Sequence, residues 1–312
     1  MLDFSNTPLY EVQHQLQNKL HNLQEHEMVA FLVTNPDITS STYNGNTITR
    51  NNQTYIYRGF KTWLDLAHTL ACKMLTPQIH NDFLVCIRYE KLSNDSFHAI
   101  NADVEEKYGE GSVFSTIHKN EESSYLYAYT QALHNVNLPQ RTEILNLGVN
   151  HADEFELIEA LYQEEFSKLH LVGVDYCHSA ITHATQKFAH ANNVTFYTHD
   201  ITQLSTLDLP KSDLIISIGT LQSSNFEFKK LLMDLVQNQL KKGGAMILAF
   251  PNCRWRDGEM IYGAKMRNYP FSEMSNLYKD VVFCKKYFQQ KKFRVTITGK
   301  DYIFITATSI RS

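Results

Sequence analysis

From Ile144 onward the chain alternates short apolar runs with helical stretches, and this pattern predicts a parallel sheet interleaved with helices. In the first run Ile144, Leu145, Leu147 and Val149 leave almost no polar face, as expected of a parallel strand covered on both sides. Leu171–Asp175 is a second buried run, Val194–His199 a third, Leu214–Gly219 a fourth and Ala245–Phe250 a fifth. Ser179–Phe188 has helical spacing, and Lys241-Lys242-Gly243-Gly244 closes a helix and turns the chain into the fifth strand. Arg294–Thr298 and Tyr302–Thr308 lie too close in sequence for a parallel crossover, so they are expected to pair antiparallel.

The first hundred residues follow a different pattern. Val12, Leu16, Leu20 and Leu23 mark an amphipathic helix within Tyr10–Glu25, and Met28–Thr34 reads as a strand. Thr47–Arg50 and Gln53–Arg58 flank Asn51-Asn52, a pair suited to the positive backbone angles of a hairpin turn. Phe60–Leu75 reads as a helix with Trp63, Leu64, Ala67, Leu70, Ala71 and Met74 inward, and Phe83–Tyr89 as another strand. The expected organisation is an N-terminal α+β accessory domain over 1–105, a connecting helix or lid over 106–141, and a main α/β domain over 142–312. In the connection, Tyr108-Gly109-Glu110-Gly111-Ser112 is a polar loop, and Asn120-Glu121-Glu122 begins a helix with Tyr125, Leu126, Tyr129 and Ala132 inward. A second long irregular stretch, Phe250–Met274, precedes a helix over Ser272–Gln290.

Composition narrows the classes without choosing among them. Of 312 residues 43% are hydrophobic, yet no apolar run approaches the roughly twenty residues of a membrane span, and the amino terminus has no charged-then-apolar leader pattern; a cytoplasmic protein without membrane contact is expected. The five cysteines are dispersed and odd in number, which suggests neither a disulfide framework nor a zinc knuckle. A net charge of −4 argues against nucleic acid as the main partner. Arg254, Arg256, Lys265 and Arg267, with Lys285, Lys286, Lys291, Lys292 and Arg294 further on, read as a solvated face with some contacts to an anionic small substrate. The 14 histidines form no His-Glu-x-x-His pattern, and neither a Gly-x-Ser-x-Gly elbow nor a Gly-Lys-Ser/Thr phosphate loop occurs. No metal is expected.

The candidate chemistry lies in Ile144–Phe155, ILNLGVNHADEF, and in Leu171–Tyr176, LVGVDY. Gly148 permits close backbone approach of a ligand. Asp175, at the carboxyl end of the second strand, is placed to accept both hydroxyls of a ribose. Together they indicate a nucleoside ligand.

With these segments in register, Asn146 through Thr308 resembles a class I S-adenosylmethionine-dependent methyltransferase domain: a Rossmann-like seven-stranded α/β fold. The family's first motif, acidic-x-Gly-x-Gly-x-Gly, stands here as Asn146-Leu147-Gly148-Val149-Asn150-His151-Ala152. Only the first glycine is kept; Asn150 tolerates left-handed geometry and Ala152 is small. The resemblance implies S-adenosyl-L-methionine as cofactor, held by Gly148, Asn150, Asp175, Tyr176, Asp200, Ile201, Gly219 and Thr220. Adenine is expected between the third and fourth strands, with Asp200 taking its exocyclic amine and Ile201 packing on the ring. Tyr108, Gln222, Arg254, Glu259 and Tyr262 are the acceptor-side candidates, and Tyr108–Tyr129 and Arg254–Tyr269 are expected to form opposite walls of one pocket. No catalytic base is assigned. The Pro-Pro-Tyr motif of exocyclic-amine methylation is absent, since that place reads Gly219-Thr220-Leu221-Gln222. The expectation is methyl transfer to a small or medium-sized acceptor. The alternatives are a non-catalytic S-adenosylmethionine-binding regulator and an RNA methyltransferase; a nicotinamide dehydrogenase fits less well, for want of Gly-x-Gly-x-x-Gly.

Overall fold

The computed structural model describes residues 1–38, 43–92, 118–221, 227–252, 254–256, 259–261 and 275–310, the side chains of 254–256, 259–261 and 275–276 excepted. Two compact units are present, one made of Met1–Ala99 with Arg254–Ile261, the other of Ile100–Cys253 with Tyr262–Ser312.

The first unit contains β1 (Leu2–Asp3), α1 (Leu9–His21), β2 (Met28–Thr34), β3 (Thr47–Arg50), β4 (Gln53–Ile56), α2 (Phe60–Thr69), β5 (Cys72–Met74), β6 (Gln78–Ile79) and β7 (Leu84–Lys91). Its main sheet runs β1-β2-β7-β5, with β6 also paired to β7. Val12, Leu16 and Leu20 of α1, spaced four apart on one helix face, are buried with Phe31, Trp63 and Tyr89 in a single core. Asn51 and Asn52 take φ of 49° and 60° and close the β3–β4 hairpin. The helix expected to reach Leu75 stops at Thr69. Ala71, at φ 52°, turns the chain into β5. The buried stripe is accordingly Trp63, Leu66 and Ala67, while Leu64 is 39% exposed.

The second unit contains α3 (Ser123–Asn135), β8 (Glu143–Leu147), α4 (Asp153–Leu161), α5 (Gln163–Phe166), β9 (His170–Asp175), α6 (His178–Lys187), β10 (Val194–Thr198), β11 (Ser212–Ile218), α7 (Phe228–Asp234), β12 (Leu240–Pro251), α8 (Ser275–Gln290), β15 (Phe293–Gly299) and β16 (Tyr302–Ser309). Between β12 and α8, β13 (Arg254–Arg256) and β14 (Glu259–Ile261) form the antiparallel hairpin that groups with the first unit. The seven-stranded sheet runs β10-β9-β8-β11-β12-β16-β15. Its first five strands are parallel, and β16 lies antiparallel to both β12 and β15.

Strand alternation sends side chains into two cores. Ile144, Val149, Ile216 and Ile247 pack with Tyr125, Phe155, Ile158 and Ile181 from α3, α4 and α6. On the opposite face Leu145, Leu147, Ile215 and Leu248 pack with Phe228 and Leu232 of α7 and Val281 and Phe288 of α8. This two-sided cover is why β8 reads as an almost unbroken apolar run. Ser212 pairs with Leu240 and Leu214 with Ala245, so Lys241–Gly244 loops out of the ladder, with Gly243 at φ 80° supplying the bend.

Candidate cofactor site

From the adjacent strands β8 and β11 the connections leave in opposite directions, to β9 on one side and β12 on the other. A crevice is expected outside the carboxyl ends at such a reversal. The chain leaves β8 there through an unusual turn, with Gly148, Asn150 and Ala152 at φ 72°, 45° and 60°. Ala152 caps α4 in the left-handed conformation. The Gly148 and Val149 amides both donate to the Val174 carbonyl, at 2.8 and 3.2 Å, stitching the turn to β9.

Asp175 completes that attachment. Its side chain is 7% exposed; Oδ2 accepts from the Asn150 amide and Oδ1 from the Cys177 amide, each at 3.0 Å. Burial pushes the carboxyl pKa above its usual 3.8, opposed by the amides of Cys177, Asn150 and Tyr176 and by the Lys119 charge. Gly148 is required by packing as well as by its backbone angle. A β-carbon there would lie 1.9 Å from Thr220 Oγ1. Gly148, Asn150, Asp175 and Thr220 are thus brought together from three strand ends, with Tyr176, 41% exposed, directly after Asp175.

The end of β10 is built differently. Asp200 is exposed, and its Oδ1 accepts from the Thr202 amide at 2.8 Å, capping the 3-10 turn Ile201–Leu207. Ile201 is buried in the core on the α7–α8 side of the sheet. Gly219, at φ 73°, sits 3.6 Å from the Pro251 ring by the position a β-carbon would take. Tyr108, Gln222 and Tyr262 lie outside the described residues, as do the side chains of Arg254 and Glu259, whose backbones stand in the β13–β14 hairpin.

A polar cluster that the sequence reading did not single out sits behind the turn. Glu154, 1% exposed, accepts from Lys119 Nζ at 2.6 Å, from Asn146 Nδ2 at 3.2 Å and from the Tyr125 hydroxyl at 3.4 Å. Burial would lower the Lys119 pKa, but the adjacent Glu154 outweighs it and the net shift is upward. Asn146 is fully buried, and its Oδ1 has no hydrogen-bond partner. The His151 ring lies 4.6 Å from that of His183, and the His151 Nε2 is likewise buried without a hydrogen-bond partner. Burial, then His183, lowers the His151 pKa below its usual 6.5. Glu154 carried one sequence signal, an acid in the first turn of a helix; Lys119 carried none, because its partner is distant in sequence.

Among the described residues no group of three or more histidine, cysteine, aspartate or glutamate side chains is arranged to hold a metal ion, and no helix is long and apolar enough to cross a membrane.

Residues 152–298 match the family model of a methyltransferase domain. That stretch is similar to a methyltransferase domain. The matched stretch begins at the cap of α4, so it includes Asp175 and Asp200 but not Gly148. Among solved structures the chain is similar to a magnesium protoporphyrin IX methyltransferase from Synechocystis PCC 6803 with bound SAM, at 18% identity, covering 65% of this chain and 87% of that one, with a TM-score of 0.41. It is also similar to the N-methyltransferase NodS from Bradyrhizobium japonicum WM9 in complex with S-adenosyl-L-homocysteine, at 12% identity, 62% and 91% coverage, and a TM-score of 0.43. A precorrin-6y C5,15-methyltransferase from Geobacter metallireducens GS-15 aligns at 14% identity, 59% and 88% coverage, and a TM-score of 0.40. No curated protein matches the chain.

Proposed function

We propose that this domain binds S-adenosyl-L-methionine at the carboxyl ends of β8 and β9 and transfers its methyl group to a small or medium-sized acceptor. The observation that carries the reading is Asp175. Its carboxylate accepts the backbone amides of Asn150 and Cys177 and a further one from Tyr176, fewer than the roughly four acceptor sites of a carboxylate. A buried acid with spare acceptor capacity, fixed beside a left-handed turn, suits a ribose diol. The unpartnered Asn146 Oδ1 and His151 Nε2 at the same turn are polar atoms that a ligand's donors and acceptors would satisfy.

The bound cofactor supplies a sulfonium-activated methyl carbon, so the chain's own task is to hold and align the reactants and exclude water. In this reading Gly148 and Asn150 line the ligand, and Tyr176, Gly219 and Thr220 border it. Asp200 and Ile201 take the adenine. Tyr108, Gln222, Arg254, Glu259 and Tyr262 are assigned to the acceptor side. A small acceptor is favoured over nucleic acid by the net charge of −4. The cytoplasm suits the four described cysteines, Cys72, Cys86, Cys177 and Cys284, all unbridged.

Calorimetry with S-adenosyl-L-methionine and S-adenosyl-L-homocysteine tests the assignment. Asp175→Ala should weaken both by roughly ten- to a hundredfold, the cost of a charged hydrogen-bond acceptor. Unchanged affinity in a folded variant would remove Asp175 from the site.

A further inference from the structure

Two helical faces of the second unit carry opposite charge. Residues 153–168, which form α4, α5 and the turn after them, hold six acids and one lysine. Residues 275–294, from α8 into β15, hold six lysines and arginines and one acid. α4 and α5 pack on one side of the sheet through Phe155, Ile158 and Phe166, and α8 packs on the other through Val281, Cys284 and Phe288. The two charged faces are therefore turned outward on opposite sides of one sheet.

α8 also leaves apolar surface uncovered among its lysines. Tyr278 and Val282, one turn apart, are 58% and 46% exposed. Lys279, Lys285 and Lys286 beside them are exposed and have no ion pair among the described residues. On the other side of the sheet α4 and α5 flank an open hollow of about 390 Å³, lined by Glu156, Glu159, Ala160, Gln163 and Phe166. Leu161, at the end of α4, is 47% exposed. Lys187 is paired with Glu156 and His190 with Glu159, whereas Glu164 and Glu165 have no ion pair among the described residues. A protruding aromatic flanked by ammonium groups and an apolar-floored hollow rimmed by carboxylates are complementary in shape and in sign.

We infer that the α8 face is a docking surface for a second copy of this chain, whose α4–α5 hollow receives Tyr278 and Val282 while its acids meet Lys279, Lys285 and Lys286. Pairing of two α8 faces on a two-fold axis would set like charges together. The contact is accordingly heterologous: each copy keeps one face free, so copies add head to tail until a ring closes or the chain of copies runs on. Exposed ion pairs are individually weak, so the association is reversible and sensitive to salt. It uses none of the residues assigned to the cofactor or to the acceptor.

Sedimentation velocity of the full chain over a range of protein concentrations tests this, at about 0.01 M and about 1 M salt, where the Debye length is about 30 Å and about 3 Å. The sedimentation coefficient should rise with protein concentration in low salt and stay at the monomer value in high salt. Lys285→Glu with Lys286→Glu should weaken self-association roughly tenfold or more, and Glu164→Lys with Glu165→Lys should do the same. Mixing the two double variants should restore it, because the acidic α8 of one then meets the basic α5 of the other; general damage to the fold would not be repaired in this way. A wild type that stays monomeric in low salt would overturn the inference, as would variants that associate like wild type or a mixture that stays apart. A monomeric wild type held on anionic phosphatidylglycerol vesicles or on RNA would overturn it in favour of a polyanionic partner.

Discussion

Asp175 and Asp200 end neighbouring parallel strands, each as the acid that follows an apolar run, yet the fold treats them oppositely. β9 lies between β8 and β10, and Asp175 is drawn inside, where backbone amides hold it. β10 is the edge of the sheet with β9 as its one neighbour, and Asp200 stays in water as the cap of a 3-10 turn. A buried acid must be satisfied by hydrogen bonds or lose its charge. An exposed one is hydrated whatever it touches. The same local motif therefore gives a buried acid held by backbone amides at one strand end and an exposed acid capping a 3-10 turn at the other.

The contrast is sharpest in the polar groups behind Asp175. Glu154→Ala should have the largest effect, a loss of about 3–5 kcal/mol in urea unfolding, because it strands Lys119 as a buried charge. Adding Lys119→Ala should recover part of that loss, since the two groups form one pair. Simple additivity would mean that they do not act together. Asp175→Ala comes next at about 2–4 kcal/mol, because the Asn150 and Cys177 amides both lose their acceptor. Asp200→Ala should cost only about 0.5–1 kcal/mol, the scale of a single exposed cap. Equal losses at the two aspartates would break the comparison.

The smallest expected effect is the pH response of the turn. His151 is favoured neutral by the fold, since burial and His183 hold its pKa below 6.5. The groups around it are His183 and Lys187 of α6, Asp153 of α4 and Lys119. With a folded value below the unfolded one, its contribution is fully present above the unfolded pKa and is lost as pH falls through the lower folded one. Melting temperature should therefore drop more between about pH 7 and pH 5 in wild type than in His151→Gln. Parallel curves would exclude His151 as the titrating group.

Much of the second unit was legible in order and type. Ile144–Val149, Leu171–Asp175, Leu214–Gly219 and Ala245–Phe250 all fall within strands or their immediate exits, because strands covered on both faces leave an apolar signature that needs no partner to be read. The Asn51-Asn52 turn was legible for a similar local reason, the tolerance of asparagine for left-handed angles. Boundaries were less so. The end of α2 at Thr69 depends on Ala71 adopting a positive φ, which alanine does not advertise and which pairing of β5 with β7 supports.

The sequence by itself determined the α/β plan, the antiparallel finish and the acids at the strand ends, because backbone periodicity and turn chemistry are local. Only the tertiary structure decided which acid is buried, that Thr220 fills the side of Gly148, and that Glu154 is paired with Lys119 from a turn 35 positions earlier. Those outcomes depend on the neighbour each strand end acquires in the folded sheet. Desolvation and packing act through space, and a side chain's distant partner leaves no mark on its own stretch of sequence.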